Sequence, residues 1–447
     1  MTVLWTAAEL RKATGGTGGA DVTGIAIDSR AVVPGDLFVA LRADRDGHAF
    51  VPDALAQGAA CAMVDEDMAG LRVADTLVGL TALGAAGRAR SGARVVAVTG
   101  SVGKTTVKDM LRHGLAEQGL THASAASHNN QWGVPLTLAR LPGAARYAVI
   151  EIGMNNRGEI APLARLARPD VAVVTNIGTA HVGNLGSEAA IAAEKGDILL
   201  GLPRGGVAVL PADSAHFAGL AATAPGRVVG FGHAPEAQAR LVAVRELADS
   251  VEVSALLYGH DIAFTVGAPG AHMAMNAIAA IAAAAALGAD PLRFAASLAS
   301  FGAGAGRGQR IVLALPGGGS ALLLDESYNA SVASVRAALS VLAAQPAGRR
   351  IAVLGDMLEL GEAGPAQHLS LLPDVVAVAD LVFCCGPLMG RLFEALPAER
   401  RGQATADSTA LAPLVAAVVR DGDAVMVKGS LGSRMAVVIT ALKELAV

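Results

Sequence analysis

Short continuous apolar runs alternate along this chain with longer stretches in which apolar residues recur at helical spacing. The run Arg94–Thr99 (RVVAVT) has the β-branched, uninterrupted character of a strand buried on both faces of a sheet. It ends in glycine, and the pattern then predicts a helix from Thr105 to about Gln118. Residues 147–152 and 171–176 repeat the pattern, each an apolar strand that delivers polar residues at its C-terminal end. Alanine-rich helices are expected between them. The longest greasy stretch, residues 273–287, holds Asn276 and falls short of the ~20 residues of a membrane span, so it reads as a buried helix.

The chain on either side is organised differently. Before residue 78, strand-like runs at 24–27, 37–40 and 61–64 surround a helix-like run at 51–57, and a helical linker follows over 81–90. The glycine-rich stretch 301–308 interrupts the pattern. Alternation then restarts with strands expected at 322–325, 350–354, 379–384 and 424–427. The fold class is therefore α/β in three domains: a small α/β unit over 1–78, a central unit with a mostly parallel sheet over 79–309, and a Rossmann-like unit over 310–447. In open α/β sheets ligands bind at the carboxyl edge, and the chemistry is sought there.

Bulk properties narrow the functional classes. A chain of 447 residues exceeds what one hydrophobic core ordinarily holds. A net charge of -4 with 17% charged residues gives no basic footprint for nucleic acid. Hydrophobic residues at 53%, supplied by Ala, Val and Leu, exclude a disordered chain. The opening MTVLWTAAELRKATGG has no basic start followed by an apolar core and a cleavage site, so a cytoplasmic protein is expected. Cys61, Cys384 and Cys385 form no paired framework and no Cys-x-x-Cys, and the adjacent pair reads as small core residues of a strand.

The strongest local signal is Val98-Thr99-Gly100-Ser101-Val102-Gly103-Lys104-Thr105-Thr106. A buried strand runs into a glycine turn, then a lysine and a hydroxyl residue at a helix start. Backbone N–H groups of such a turn wrap a phosphate chain, with Gly100, Ser101, Gly103 and Thr106 as part of the cradle. Lys104 neutralises the β- and γ-phosphates and the Thr105 hydroxyl holds Mg²⁺. The spacing departs from the strict G-x-x-x-x-G-K-[ST] form because position 98 is Val. Two further strand ends carry Glu151 and, after Asn176-Ile177-Gly178-Thr179-Ala180, His181. A carboxylate and an imidazole facing bound phosphates suit Mg²⁺. Taken singly, such a glutamate is more often solvated, and such a histidine more often a satisfied, partly buried residue.

The segments TGSVGKTT, EIGMNNRGEI and NIGTAH with the later EKGDIL resemble the central ATPase domain of the Mur ligases of peptidoglycan synthesis. The resemblance covers essentially the whole chain. Asp28-Ser29-Arg30, residues 34–41 (PGDLFVAL) and Asp46-Gly47-His48 resemble the family's UDP-sugar-binding domain. Residues 325–330 (DESYNA), 354–361 (LGDMLELG), 427–430 (VKGS) and 128–138 (HNNQWGVPLTL) resemble the branch that adds a dipeptide. The resemblance implies an ATP-dependent ligase that joins D-alanyl-D-alanine to UDP-N-acetylmuramoyl-tripeptide through an acyl phosphate, working as a monomer.

It also implies residue roles. Lys104, His181 and Lys195 would be catalytic. Thr105, Glu151, His181 and Lys195 would serve the metal site, with Lys195 carbamylated. Asn276 would meet the adenine, Arg307 the nucleotide phosphates and Asp325 the ribose. Asp28, Ser29, Arg30, Asn130, Tyr328 and Asn329 would touch the substrates. Lys195 also reads as a helix-surface lysine paired with Asp197, and Arg307 as a solvated linker arginine. Ser331-Val332 stand where relatives carry Asn-Pro, and Leu431 where an arginine is usual, which leaves the acceptor contacts open. The other readings are a Mur-type ligase adding the third residue, a folylpolyglutamate-synthase-like ligase, and a non-enzymatic nucleotide switch. The third residue of the tripeptide, diaminopimelate or lysine, is not legible.

Overall fold

The computed structural model describes residues 2–125 and 127–445, and their strands gather into three separate sheets. The first runs Thr17–Gly18, Leu71–Arg72, Cys61–Val64, Asp36–Val39, Gly24–Ala26, parallel except for its first pair. Helix Thr76–Arg90 leaves this sheet under an Asp75 cap that accepts from Val78 N–H, and it crosses the boundary expected at residue 78. It packs on helix Gly133–Ala139 of the central unit. Trp5 Nε1 donates to Ala139 O and Arg140 Nε to Ile25 O, so residues 128–140 tie the first unit to the second.

The central sheet has nine strands. Its order is His260–Val266, Val251–Leu257, Ala239–Glu246, Arg227–Gly232, Val207–Pro211, Val171–Val174, Arg94–Thr99, Tyr147–Glu151, Thr121–Ala123. Pairing is parallel from Ala239–Glu246 onward and antiparallel among the first three. Val96 and Val98 face helices Lys104–Ala116 and Ala271–Ala286, while Val95 and Ala97 face helix Ile160–Ala167. Both faces are covered, which is why RVVAVT has no polar alternation. The antiparallel ribbon departs from the parallel pattern the sequence predicts. Its strands are half-buried and alternate apolar with polar residues, a different signal from the continuous runs.

The third sheet has the order Gln309–Ala314, Ser320–Glu326, Asp423–Lys428, Arg349–Gly355, Leu381–Cys385, Arg401–Thr405. Only its first pair is antiparallel, a hairpin that begins at the boundary expected near residue 309. Cys384 and Cys385 are buried core residues, and burial pushes the Cys385 thiol up to about 12. Among the described residues no helix is long and apolar enough to cross a membrane.

Candidate active site

Strand Arg94–Thr99 ends in a turn that only glycine can make. Gly100 has φ +150, and a Cβ there would stand 2.0 Å from Thr175 Oγ1; Gly103 has φ +84, and its Cβ would meet Asn276 Oδ1 at 2.6 Å. Ser101 fastens this turn to the next strand's loop: its Oγ donates to Gly178 O and accepts from Gly178 N–H, at 3.1 and 3.0 Å. Helix Lys104–Ala116 then starts with no side-chain cap, so its first-turn N–H groups remain available to an anion. Asn276, on helix Ala271–Ala286, abuts the same turn.

Lys104 is half-buried and its Nζ donates to Gly100 O at 2.7 Å. Burial lowers its pKa; Glu151 and Glu359 oppose that shift, and Arg307 adds to it. The charges felt at Lys104 therefore come from three chain segments. Glu151 is 1% exposed at the end of strand Tyr147–Glu151. Its carboxylate accepts from Thr105 Oγ1 and from Asn129 Nδ2, both at 2.8 Å. The adjacent Asn130 does a different job: its Oδ1 accepts from Trp132 and Gly133 N–H and starts helix Gly133–Ala139. Asn129, not singled out from the sequence, is the one that reaches the site. Two adjacent asparagines are indistinguishable in sequence, and only side-chain direction separates them.

Lys195 lies on helix Glu188–Gly196 and is 1% exposed, which excludes the surface lysine paired with Asp197. Burial drives its pKa well below the ordinary lysine value, and the Lys104 charge drives it further. Neighbouring Glu194 raises it only in part, because that carboxylate is turned to Gly158 and Ile160 N–H at 2.7 and 3.0 Å. Among the described residues Lys195 Nζ makes no hydrogen bond. A buried amine of this kind is far more neutral than a surface lysine.

His181 adopts φ 67 and sits with its Nδ1 2.7 Å from Glu359 Oε2, a close polar contact that is off-line for a hydrogen bond. The His181 contact holds the Glu359 carboxyl below the usual glutamate range. Glu359 belongs to the segment 354–361, so the third domain reaches the central one here. It does so again at Arg307, whose guanidinium stacks 3.9 Å over the Tyr328 ring, and at Tyr328, whose hydroxyl is in short contact with Ser127 Oγ. Arg307 is therefore no free linker arginine. Between the domains lies a cleft of about 500 Å³ lined by Thr105, Lys108, Arg112, Ser124, Arg307 and Tyr328.

The remaining candidates lie around this centre or apart from it. Asp325 is buried and holds the linker, accepting from Gly306 N–H at 3.0 Å and from Ser327 Oγ at 2.6 Å. Asn329 is exposed; its carbonyl accepts from Lys428 Nζ, which also pairs with Glu326 at 3.2 Å. Thr106 sits half-buried in the first helical turn. Asp28, Ser29 and Arg30 form a surface turn on the first domain, with Arg30 paired to Asp28. His48 of Asp46-Gly47-His48 is satisfied internally: Nδ1 meets Asp46 Oδ1 at 2.6 Å and Nε2 accepts from Asp65 N–H.

Thr105, Glu151 and His181 offer hydroxyl, carboxylate and imidazole donors beside a phosphate-type turn. The buried Glu151 carboxylate, with only two side-chain donors, fits a hard divalent cation, and the His181 ring keeps its Nε2 for the same role while Nδ1 faces Glu359.

Three family models match the chain: the Mur ligase family catalytic domain over residues 21–85, the Mur ligase middle domain over 98–284, and the Mur ligase glutamate ligase domain over 306–431. The chain is 37% identical over 438 residues to the UDP-N-acetylmuramoyl-tripeptide–D-alanyl-D-alanine ligase of Escherichia coli, covering 95% of each. It superposes on a crystal structure of MurF from Acinetobacter baumannii with a TM-score of 0.86 at 29% identity, covering 98% of this chain and 99% of that one. MurF ligase from Thermotoga maritima, solved in complex with ADP, gives 0.79 at 26% identity, covering 95% and 98%.

Proposed function

The chain belongs to the Mur ligase family, and from that premise we propose that the residues around Lys104 carry out acyl-phosphate chemistry at the junction of its central and third domains. The protein is an ATP-dependent ligase of peptidoglycan synthesis that joins D-alanyl-D-alanine to UDP-N-acetylmuramoyl-tripeptide. The observation that carries the site assignment is the Thr105–Glu151 hydrogen bond, which sets a hydroxyl and a buried carboxylate beside the phosphate turn and within the field of Lys104.

A carboxylate is a poor acyl donor, and transfer of the ATP γ-phosphoryl group to it supplies a leaving group. The glycine turn and the first turn of helix Lys104–Ala116 hold the phosphate chain through backbone N–H groups. Lys104 leaves Gly100 O for the phosphates, and Arg307 approaches the same charge from the linker. Thr105, Glu151 and His181 would hold Mg²⁺, which when bound offsets negative charge on the phosphate oxygens. Lys195, whose burial makes its amine easier to deprotonate, is suited to add CO₂ at Nζ and lose a proton, giving an anionic carbamate beside Lys104. Asn276 takes the adenine side of the turn. Asp325, by fixing the Gly306 turn, sets the position of Arg307.

Asp28, Ser29 and Arg30 take the nucleotide end of the UDP-peptide, and residues 128–140 carry the path from there to Glu151. The acceptor's amine then displaces phosphate. Tyr328 lines the cleft where it enters, and the exposed Asn329 follows it in the chain. All these residues come from one chain, so a monomer suffices, and we place the reaction in the cytoplasm, where ATP is supplied.

Sustained phosphate release is expected only with ATP, Mg²⁺, the UDP-tripeptide and the dipeptide together. Strong ATPase activity in the enzyme alone would count against an acyl phosphate formed on bound substrate. Among amines, D-alanyl-D-alanine is expected to support turnover, while free D-alanine, L-lysine and meso-diaminopimelate are not. A site built for the dipeptide's groups leaves its own polar atoms unpaired around a shorter amine. Assaying the four amines at equal concentration with UDP-tripeptide and UDP-dipeptide donors checks this; preference for UDP-dipeptide with a diamino acid would overturn it.

A further inference from the structure

The segment Gly355-Asp356-Met357-Leu358-Glu359-Leu360-Gly361 leaves strand Arg349–Gly355 at the edge of the third sheet that faces the central domain. Nothing in the reaction as described uses it. The structure shows what it touches. Gly183, two residues after His181, donates its N–H to Glu359 O at 3.2 Å. A Cβ on Gly183 would lie 2.8 Å from Gly361 N and 2.9 Å from Glu359 O, so the two backbones meet where no side chain fits. The Glu359 side chain, 47% exposed, extends across this contact to within 2.7 Å of His181 Nδ1. His181 and Glu359 both hold left-handed backbone, φ 67 and 65, which non-glycine residues seldom adopt. Each turns its side chain toward the other domain's.

We infer that Glu359 is a positioning residue for His181, supplied by the third domain, so that docking of the third domain on the central one orients the imidazole for the cation. This inference rests on the ligase reading given above. A metal-binding histidine commonly gives its second ring nitrogen to a carboxylate, which fixes the tautomer and aims the first nitrogen. Pairing at Nδ1 leaves Nε2 for the cation. The present contact is short but off-line, and a turn about the broad χ2 torsion of histidine brings the Nδ1–H onto the Glu359 oxygen. The carboxylate that orients His181 sits on a different domain from His181 itself. An open enzyme would therefore hold the cation loosely, and a closed one firmly, which links cation binding to closure around the acyl phosphate.

The test uses the full chain with Glu359→Ala, Glu359→Gln and, as a control on the same loop, Glu362→Ala. Mn²⁺ is titrated into the ADP complex and followed by its electron paramagnetic resonance signal, alongside kcat and KM for the UDP-tripeptide. Glu359→Ala is expected to weaken Mn²⁺ binding by about 10- to 100-fold, with a comparable fall in kcat. KM for the UDP-tripeptide should stay within about twofold, since that substrate is held elsewhere. Glu359→Gln keeps an oxygen acceptor at Nδ1–H and should fall between alanine and wild type, while Glu362→Ala should match wild type. Unchanged Mn²⁺ affinity in Glu359→Ala overturns the inference even if activity drops, because a merely structural contact would act that way. The Mn²⁺ titration needs no peptide substrate, so it stands apart from the ligase reading, which fails separately if wild type does not turn over UDP-tripeptide with D-alanyl-D-alanine.

Discussion

Lys104→Ala is expected to lower kcat by roughly a thousand-fold or more, on the scale of other cationic clamps in phosphoryl transfer. In the present structure the Nζ group has one hydrogen-bond partner, the carbonyl of Gly100 in its own turn. Its neighbours Arg307 and Lys195 carry or can carry like charge, and among the described residues Glu151 and Glu359 favour its protonated form. On the proposed assignment the protein concentrates positive charge where negative phosphate oxygens would lie, at some cost to the free enzyme. Removing that charge relieves repulsion in the free state and forfeits attraction in the transition state, so the fold should lose little and the reaction much. Thermal unfolding should shift little, and kcat and kcat/KM should fall together, the pattern of an interaction made in the transition state. Near-normal turnover in Lys104→Ala would remove the phosphate-cradle assignment for the whole turn.

The parts of this site that were legible in the sequence share one physical property: they follow strands buried on both faces. Such strands write themselves as unbroken apolar runs, so Thr99, Glu151 and the residues after Val174 could be placed on a common sheet edge before any coordinates. The half-buried antiparallel strands Val251–Leu257 and His260–Val266 write only a weaker period of two. Burial of charge leaves no such local pattern. Lys195 has Asp197 two residues on and Glu194 beside it, so in sequence it looks paired and solvated. The fold turns Glu194 to the start of helix Ile160–Ala167 and leaves the lysine buried. Glu359 was visible only as part of a motif. Its contact with His181 crosses domains and depends on left-handed backbone at two non-glycine residues, for which neither sequence carries a local signal.

Lys195→Ala is expected to be nearly inactive and to regain part of its activity with millimolar formate or acetate, a scale set by the weak affinity of such small anions. The argument starts from burial. An ammonium with 1% exposure, no hydrogen bond among the described residues and Lys104 nearby is disfavoured, and its pKa falls accordingly. A neutral amine is the form that adds CO₂, and the carbamate it would yield is anionic, which would convert the repulsion from Lys104 into attraction. An anionic oxygen also suits Mg²⁺, which an ammonium would repel. Alanine deletes this group and leaves a space that a small carboxylate can fill, whereas arginine fills the space and keeps a permanent positive charge. Lys195→Arg should therefore be as inactive as alanine and should not respond to formate. Wild-type enzyme exchanged into ¹³C-bicarbonate should show a carbamate resonance that both variants lack. Lys195→Ala also truncates a buried side chain, so its unfolding midpoint is measured in parallel; rescue by a carboxylate with no change in that midpoint separates the chemical role from packing. Full activity in Lys195→Arg would make an anionic role untenable and would assign the lysine to holding helix Glu188–Gly196 in place.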